Sequence, residues 1–168
     1  MKTSPKTPTI TKKYPIEVPT QTYDSVASIF RINFGKHYLI WKGKYLLQAC
    51  QFVAENIERY IRLQKNNPED HLHHVAAHVK KTRCLSATVK VLENEFTKGD
   101  AGTVDAYKLL MAEQKWLDDA IGDPLCLNNN SQAYIPNWMP ENDKNKFLAY
   151  YESTDEKRQK KINKRIRA

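Results

Sequence analysis

Two runs of strand-forming residues, joined by a two-residue turn and followed by a change of hydrophobic period, constrain this chain most. Residues 23–34 (YDSVASIFRINF) carry Val26, Ile29, Phe30, Ile32 and Phe34, and residues 37–41 (HYLIW) form a second run. Gly35-Lys36 lies between them, so the pair reads as a β-hairpin. From Lys44 the apolar positions step by three or four. Leu46, Cys50, Val53, Ile57 and Ile61 make one helix face to about Gln64. A chain that begins this way folds as a hairpin-led sheet with helices packed on it.

The rest of the pattern fits that plan. Asn66-Asn67-Pro68 interrupts the helix, with Pro68 at the first position of the next one and Glu69 and Asp70 in its first turn. Leu72, Val75, Ala76 and Val79 continue as a second helix. Residues 88–92 (TVKVL) suit either an extension of that helix or a third strand. Gly99 and Gly102 flank a turn, Thr103 is placed to cap a helix through Ala120, and Gly122-Asp123-Pro124 stops it. Residues 124–140 are loop-like, and a helical run follows Pro140. The fold class is α+β: a small hairpin-led sheet of two or three strands packed with helices over residues 23–140. Residues 1–22 hold Pro5, Pro8, Pro15 and Pro19 and make an extended arm. Residues 141–168 make a C-terminal helix whose apolar content fades after Tyr151, leaving a basic helical tail.

The formal net charge is +8, with 27 Lys and Arg against 19 Asp and Glu. Its distribution is uneven. Residues 1–22 contribute +3, residues 152–168 contribute +4, and the body between them only +1. Any attraction to polyanions therefore belongs to the two ends. No stretch approaches the ~18 apolar residues of a membrane span, so no membrane partner is expected. Residues 1–15 have no apolar leader, and three scattered cysteines (Cys50, Cys84, Cys126) argue against a disulfide framework. The expected location is the cytoplasm of a bacterial host, or a virion assembled there.

One residue breaks the apolar pattern. In the predicted helix 103–121, Ala106, Leu109, Leu110, Leu117, Ala120 and Ile121 mark a stripe, and Glu113 lies inside it. A carboxylate on a buried face needs a partner: a paired basic residue, hydrogen bonds or a cation. Otherwise it sits at the stripe's edge and reaches solvent.

A hairpin, a Tyr-led second strand, a following helix, a later Glu-bearing helix and then Leu-Asn together resemble the GIY-YIG nuclease domain over residues 24–130. Ser28-Ile29-Phe30 stands for the first motif and Tyr38-Leu39-Ile40 for the second. Glu113 and the Asn128 of Pro124-Leu125-Cys126-Leu127-Asn128 complete the set. The resemblance implies a phosphate held near Tyr38 and a divalent metal, Mg²⁺, on Glu113. The departures are equally specific. Phe30 lacks the first tyrosine's hydroxyl, Ile40 replaces a glycine, and residues 47–51 (LQACQ) lack the helix arginine that phosphoryl transfer needs. Tyr38, Glu113 and Asn128 thus form a remnant catalytic site in a degenerate fold, and no cofactor is expected unless the nuclease chemistry survives.

Further candidates lie elsewhere. His71, His73, His74 and His78 cluster on one segment, with His74 and His78 four apart, followed by Lys80, Lys81 and Arg83. They read as a solvated polar face with basic character. Tyr134 and Trp138, between prolines, suit partner docking or cover of the chain's own core. Lys12, Lys13, Lys157, Arg158, Lys160, Lys161, Lys164, Arg165 and Arg167 are the candidate contacts to nucleic acid or partner.

These features point to a non-catalytic assembly protein whose arms grip protein neighbours in a homo- or hetero-oligomer. A ring or connector subunit of a bacteriophage virion is the preferred setting. A divergent metal-dependent endonuclease, or a non-specific nucleic-acid-binding module acting through its basic tails, are the competing expectations.

Overall fold

The computed structural model describes residues 16–17, 27–63, 71–83, 87–98, 103–128 and 131–167. Lys12, Lys13, Cys84, the break at 66–68 and the glycines at 99 and 102 lie outside them. The hairpin forms as the sequence suggests, from β2 (Ser28–Phe34) and β3 (His37–Gly43), after a two-residue β1 (Ile16–Glu17). Gly35 turns it with φ +70°, while Lys36 keeps a negative φ, the pattern of a turn with glycine at its first central position. The ambiguous segment resolves as a strand, β4 (Ala87–Glu93), antiparallel to β2. The sheet order is β1-β4-β2-β3, with β1 parallel to β4. Part of the expected extended arm is therefore sheet.

Alternation along the strands divides the core between two faces. Phe30, Ile32, Phe34 and Leu39 face α1 (Leu46–Leu63) and α2 (His71–Thr82), where Leu46, Cys50, Val53, Ile57, Leu72, Val75 and Val79 meet them. Ile29, Tyr38 and Ile40 face α3 (Ala106–Asp119) and α4 (Glu141–Ser153), through Leu109, Leu110, Leu117 and Phe147. Each fully buried apolar side chain contributes about 1.5–3 kcal/mol, so both layers are needed. Gly43 permits the close start of α1: a Cβ there would lie 2.5 Å from that of Ala49.

Two local expectations are corrected. Thr103 belongs to a short strand, β6 (Thr103–Val104), paired with β5 (Thr97–Lys98). The cap of α3 is Asp105, whose carboxylate accepts from the Lys108 amide at 3.0 Å. The basic tail is not a separate appendage. After Thr154 the chain continues as α5 (Asp155–Arg167), anchored to α3 by Arg158.

The histidine segment also gains a partner that its own spacing did not reveal. His78 of α2 packs against His37 of β3 with ring centroids 4.3 Å apart and the rings tilted by 48°. Burial lowers the His78 imidazole's pKa, and the charges of His37, His74 and Lys81 lower it further. The unfolded chain therefore takes up this proton first. Stability from this site is fully present above the ordinary histidine value near 6.5 and is lost as pH falls from there through the lowered value of the folded state. Thermal stability should drop on acidification across that range, and His78→Phe should flatten the profile. An unchanged profile would remove His78 as its source.

Candidate functional site

The stripe-breaking residue of α3 sits at the centre of the site. Glu113 is 5% exposed. Its partner is Lys42, three residues beyond Leu39 on β3, with Nζ 2.9 Å from Oε2 and 3.2 Å from Oε1. Tyr38, Ile40 and Lys42 alternate onto the α3 face, which brings this ammonium over the carboxylate. Burial pushes the Glu113 carboxyl above its ordinary value. The Lys42 charge and hydrogen bond, and a backbone hydrogen bond from Tyr134, oppose that rise. The Lys42 ammonium also donates to the Tyr134 carbonyl.

Gln114 is a second buried polar residue that sequence reasoning passed over. It is wholly enclosed. It donates to the Ser131 carbonyl at 2.8 Å and to Asp118 at 2.9 Å, and its Oε1 accepts from the Ala133 amide at 2.8 Å. The signal was available, because Gln114 lies four after Leu110 and three before Leu117 in the same stripe. Asp118 passes the network on to Arg158, which bonds it through Nε at 2.7 Å and also reaches Thr154 and the Tyr151 carbonyl. Glu113, Gln114 and Lys42 together clamp residues 131–134, and so hold in place the loop that carries Tyr134 and Trp138.

That loop closes one side of a groove of about 320 Å³. The other side is the end of β3 and the start of α1, with Trp41, Tyr45 and Phe52. Of the five exposed large hydrophobic side chains among the described residues, four line it: Tyr45, Phe52, Tyr134 and Trp138. Trp138 is 46% exposed and Tyr134 63%, so they are not core cover. Lys44 lies 5.7 Å from the Trp138 ring and 5.9 Å from that of Tyr45. A concave, mostly aromatic surface with a few fixed polar groups at its floor is what a binding site looks like.

The residues expected to form a remnant catalytic site have structural partners. Asn128 accepts from the Ile40 amide at 2.7 Å and donates to the Ile40 carbonyl at 2.9 Å, extending the sheet edge by one side chain. Beside it the Tyr38 amide donates to Leu125 and the Leu127 amide to Tyr38. The Tyr38 hydroxyl donates to Asp123 at 2.5 Å, and Arg31 covers its ring at 4.0 Å. Burial, and then the bond to Asp123, hold this phenol well above its ordinary value, so it stays protonated. Glu113 and Asn128 line the groove, and Tyr38 lies two residues along the same face of β3. Phe30 packs on the opposite face of the sheet, so it does not join Tyr38 at a common phosphate. Gln48, within the 47–51 segment that lacks arginine, lines the groove.

The donor set around Glu113 does not suit a divalent ion as it stands. Mg²⁺ requires several oxygen ligands, whereas the nearest charge is an ammonium. Among the described residues, no group of three His, Cys, Asp or Glu side chains could hold a metal.

The basic end is also rearranged. Arg158, expected to contact a partner, is 2% exposed and committed to Asp118; it leaves that set. Lys157, Lys160, Lys161 and Lys164 are exposed and share one face of α5. Arg165 and Arg167 belong to the same helix. Among the described residues no helix is long and apolar enough to cross a membrane.

No family model, curated protein or solved structure matches the chain.

Proposed function

We propose that this chain is a non-catalytic docking subunit of a protein assembly, built on a degenerate GIY-YIG-like α+β body, and that the aromatic groove is its contact surface. One observation carries the reading. Among the described residues the exposed aromatics converge on a single groove, and its loop wall, residues 131–138, is clamped by buried polar side chains of α3. A preorganised aromatic surface binds without the cost of ordering it, and Tyr and Trp are the usual anchors of interfaces. The same side chains that a nuclease would need are engaged in holding this surface together. Glu113 is bound to Lys42, Asn128 to the edge of β3, and Tyr38 to Asp123.

The test is association of the full chain by sedimentation velocity. The variant Tyr134→Ala/Trp138→Ala should keep its thermal midpoint, since both side chains are exposed, and should associate at least roughly thirtyfold more weakly, the loss of one strong anchor. Association that survives this variant and falls steeply with salt would place the contact on the lysine face of α5 instead.

A further inference from the structure

We infer that the occupant of the groove is the proline-rich N-terminal arm of a second copy of this chain. The inference rests on the docking reading above and names its partner. Trp41, Tyr45, Tyr134 and Trp138, with Pro136 among them, present flat apolar faces around the groove. Aromatic-lined grooves receive segments in the polyproline II conformation, which lose little entropy on docking. The sequence contains a segment of that kind. Pro5-Lys6-Thr7-Pro8 is the one place in the chain with two prolines three residues apart. Three residues make one turn of polyproline II, so both rings fall on the same side.

Lys42 and Glu113 cancel at the floor, and Lys44, the remaining charge among the lining residues, lies against the Tyr45 and Trp138 rings, so selection rests on shape and stacking more than on charge. Thr3, Ser4, Pro5, Thr7, Pro8, Thr9 and Ile10 are uncharged, and Lys6 falls between the two prolines on another side of the turn.

Position favours a neighbour's groove over the chain's own, because within one chain the direct path from arm to groove is covered by helices. The chain enters β1 at Ile16, opposite Ala87, at the end of the sheet where β2 turns into β3. β1 is the edge strand farthest from β3. The groove stands beside Lys42 and Gly43, at the other end of β3. The start of β1 and the groove thus lie at diagonally opposite corners of the sheet, separated by three strand spacings of about 4.8 Å each, with helices over both faces. The fifteen residues before Ile16 span roughly 46 Å as polyproline II, enough to leave one subunit and reach the next. An arm that leaves from one corner and enters a groove at the opposite corner of the next copy makes a head-to-tail contact.

The experiment uses three full-length proteins: wild type, Pro5→Ala/Pro8→Ala and Trp138→Ala, followed by sedimentation velocity alone and in equimolar mixture. Each variant alone should be monomeric at a concentration where the wild type associates. The mixture should form a two-subunit species, because the arm of the Trp138→Ala chain can enter the groove of the other variant. Tyr134→Ala replaces Trp138→Ala should the latter lower the thermal midpoint. Loss of association in Trp138→Ala but not in the proline variant would overturn this inference and leave the docking reading standing. No change in either variant would overturn both. A monomeric wild type in which Pro5→Ala/Pro8→Ala increases the quenching of Trp138 would mean that the chain's own arm fills the groove, which also overturns it.

Discussion

Lys42→Ala is expected to lower stability by about 3–5 kcal/mol, because it leaves Glu113 buried without its counter-charge. For a chain of this size that is a fall in the thermal midpoint of roughly 10 °C. The loss should be smaller at low pH. Burial raises the Glu113 carboxyl already, and without Lys42 the folded state can keep it neutral by binding a proton. Replacing both partners with apolar residues, Lys42→Met with Glu113→Leu, should recover most of the loss, since the ion pair brings little net stability over a packed apolar pair. The residues would then no longer hold the Tyr134 backbone, so the double variant should regain its midpoint and still associate less well. Urea unfolding of the two single variants and the double variant measures the coupling directly. A loss below about 1 kcal/mol for Lys42→Ala would show that Lys42 is not what satisfies Glu113.

Arg158→Ala is expected to cost about 2–4 kcal/mol by the same mechanism, reduced somewhat because Asp118 is partly reached by water. The guanidinium bonds Asp118, Thr154 and the Tyr151 carbonyl, and lies 3.9 Å from the Tyr151 ring. Lysine cannot reproduce this planar set of contacts, so Arg158→Lys should restore little. Asp118→Asn should be comparably harmful, since it leaves a buried cation with one fewer charge to meet. Amide hydrogen exchange separates this from a general loss: α5 should lose protection first, while β2 and β3 keep theirs. Lys157→Ala, one residue away and exposed, should change nothing. Equal effects at 157 and 158 would contradict the anchoring role of Arg158.

The contrast between 157 and 158 shows where sequence reading stopped. Seven basic residues in the last twelve positions read as a solvated tail, and the prior that arginine is rarely enclosed supports that reading. The partner that encloses Arg158 is forty residues away in α3, and no local period encodes it. The hairpin, α1 and the stripe of α3 were legible because each is a local pattern set by strand alternation or helical spacing. Residues 88–92 were ambiguous because a short apolar run fits both periods, and the open edge of β2 decided the matter. Glu113 announced itself by position, but its partner lay just past the expected end of β3 at Trp41. Extending that strand by two residues places Lys42 on the same face as Tyr38 and Ile40. The convergence of Tyr45, Phe52, Tyr134 and Trp138 is tertiary, since two come from the β3–α1 side and two from a loop ninety residues later.

The account's central claim is that this surface joins copies of the chain. The native mass of the purified full-length protein, read with its absorbance ratio at 260 and 280 nm, tests it most directly. The account predicts a multiple of 19.5 kDa with the absorbance ratio of protein alone. A single 19.5 kDa species at every concentration, or a complex whose absorbance is that of nucleic acid, would contradict it.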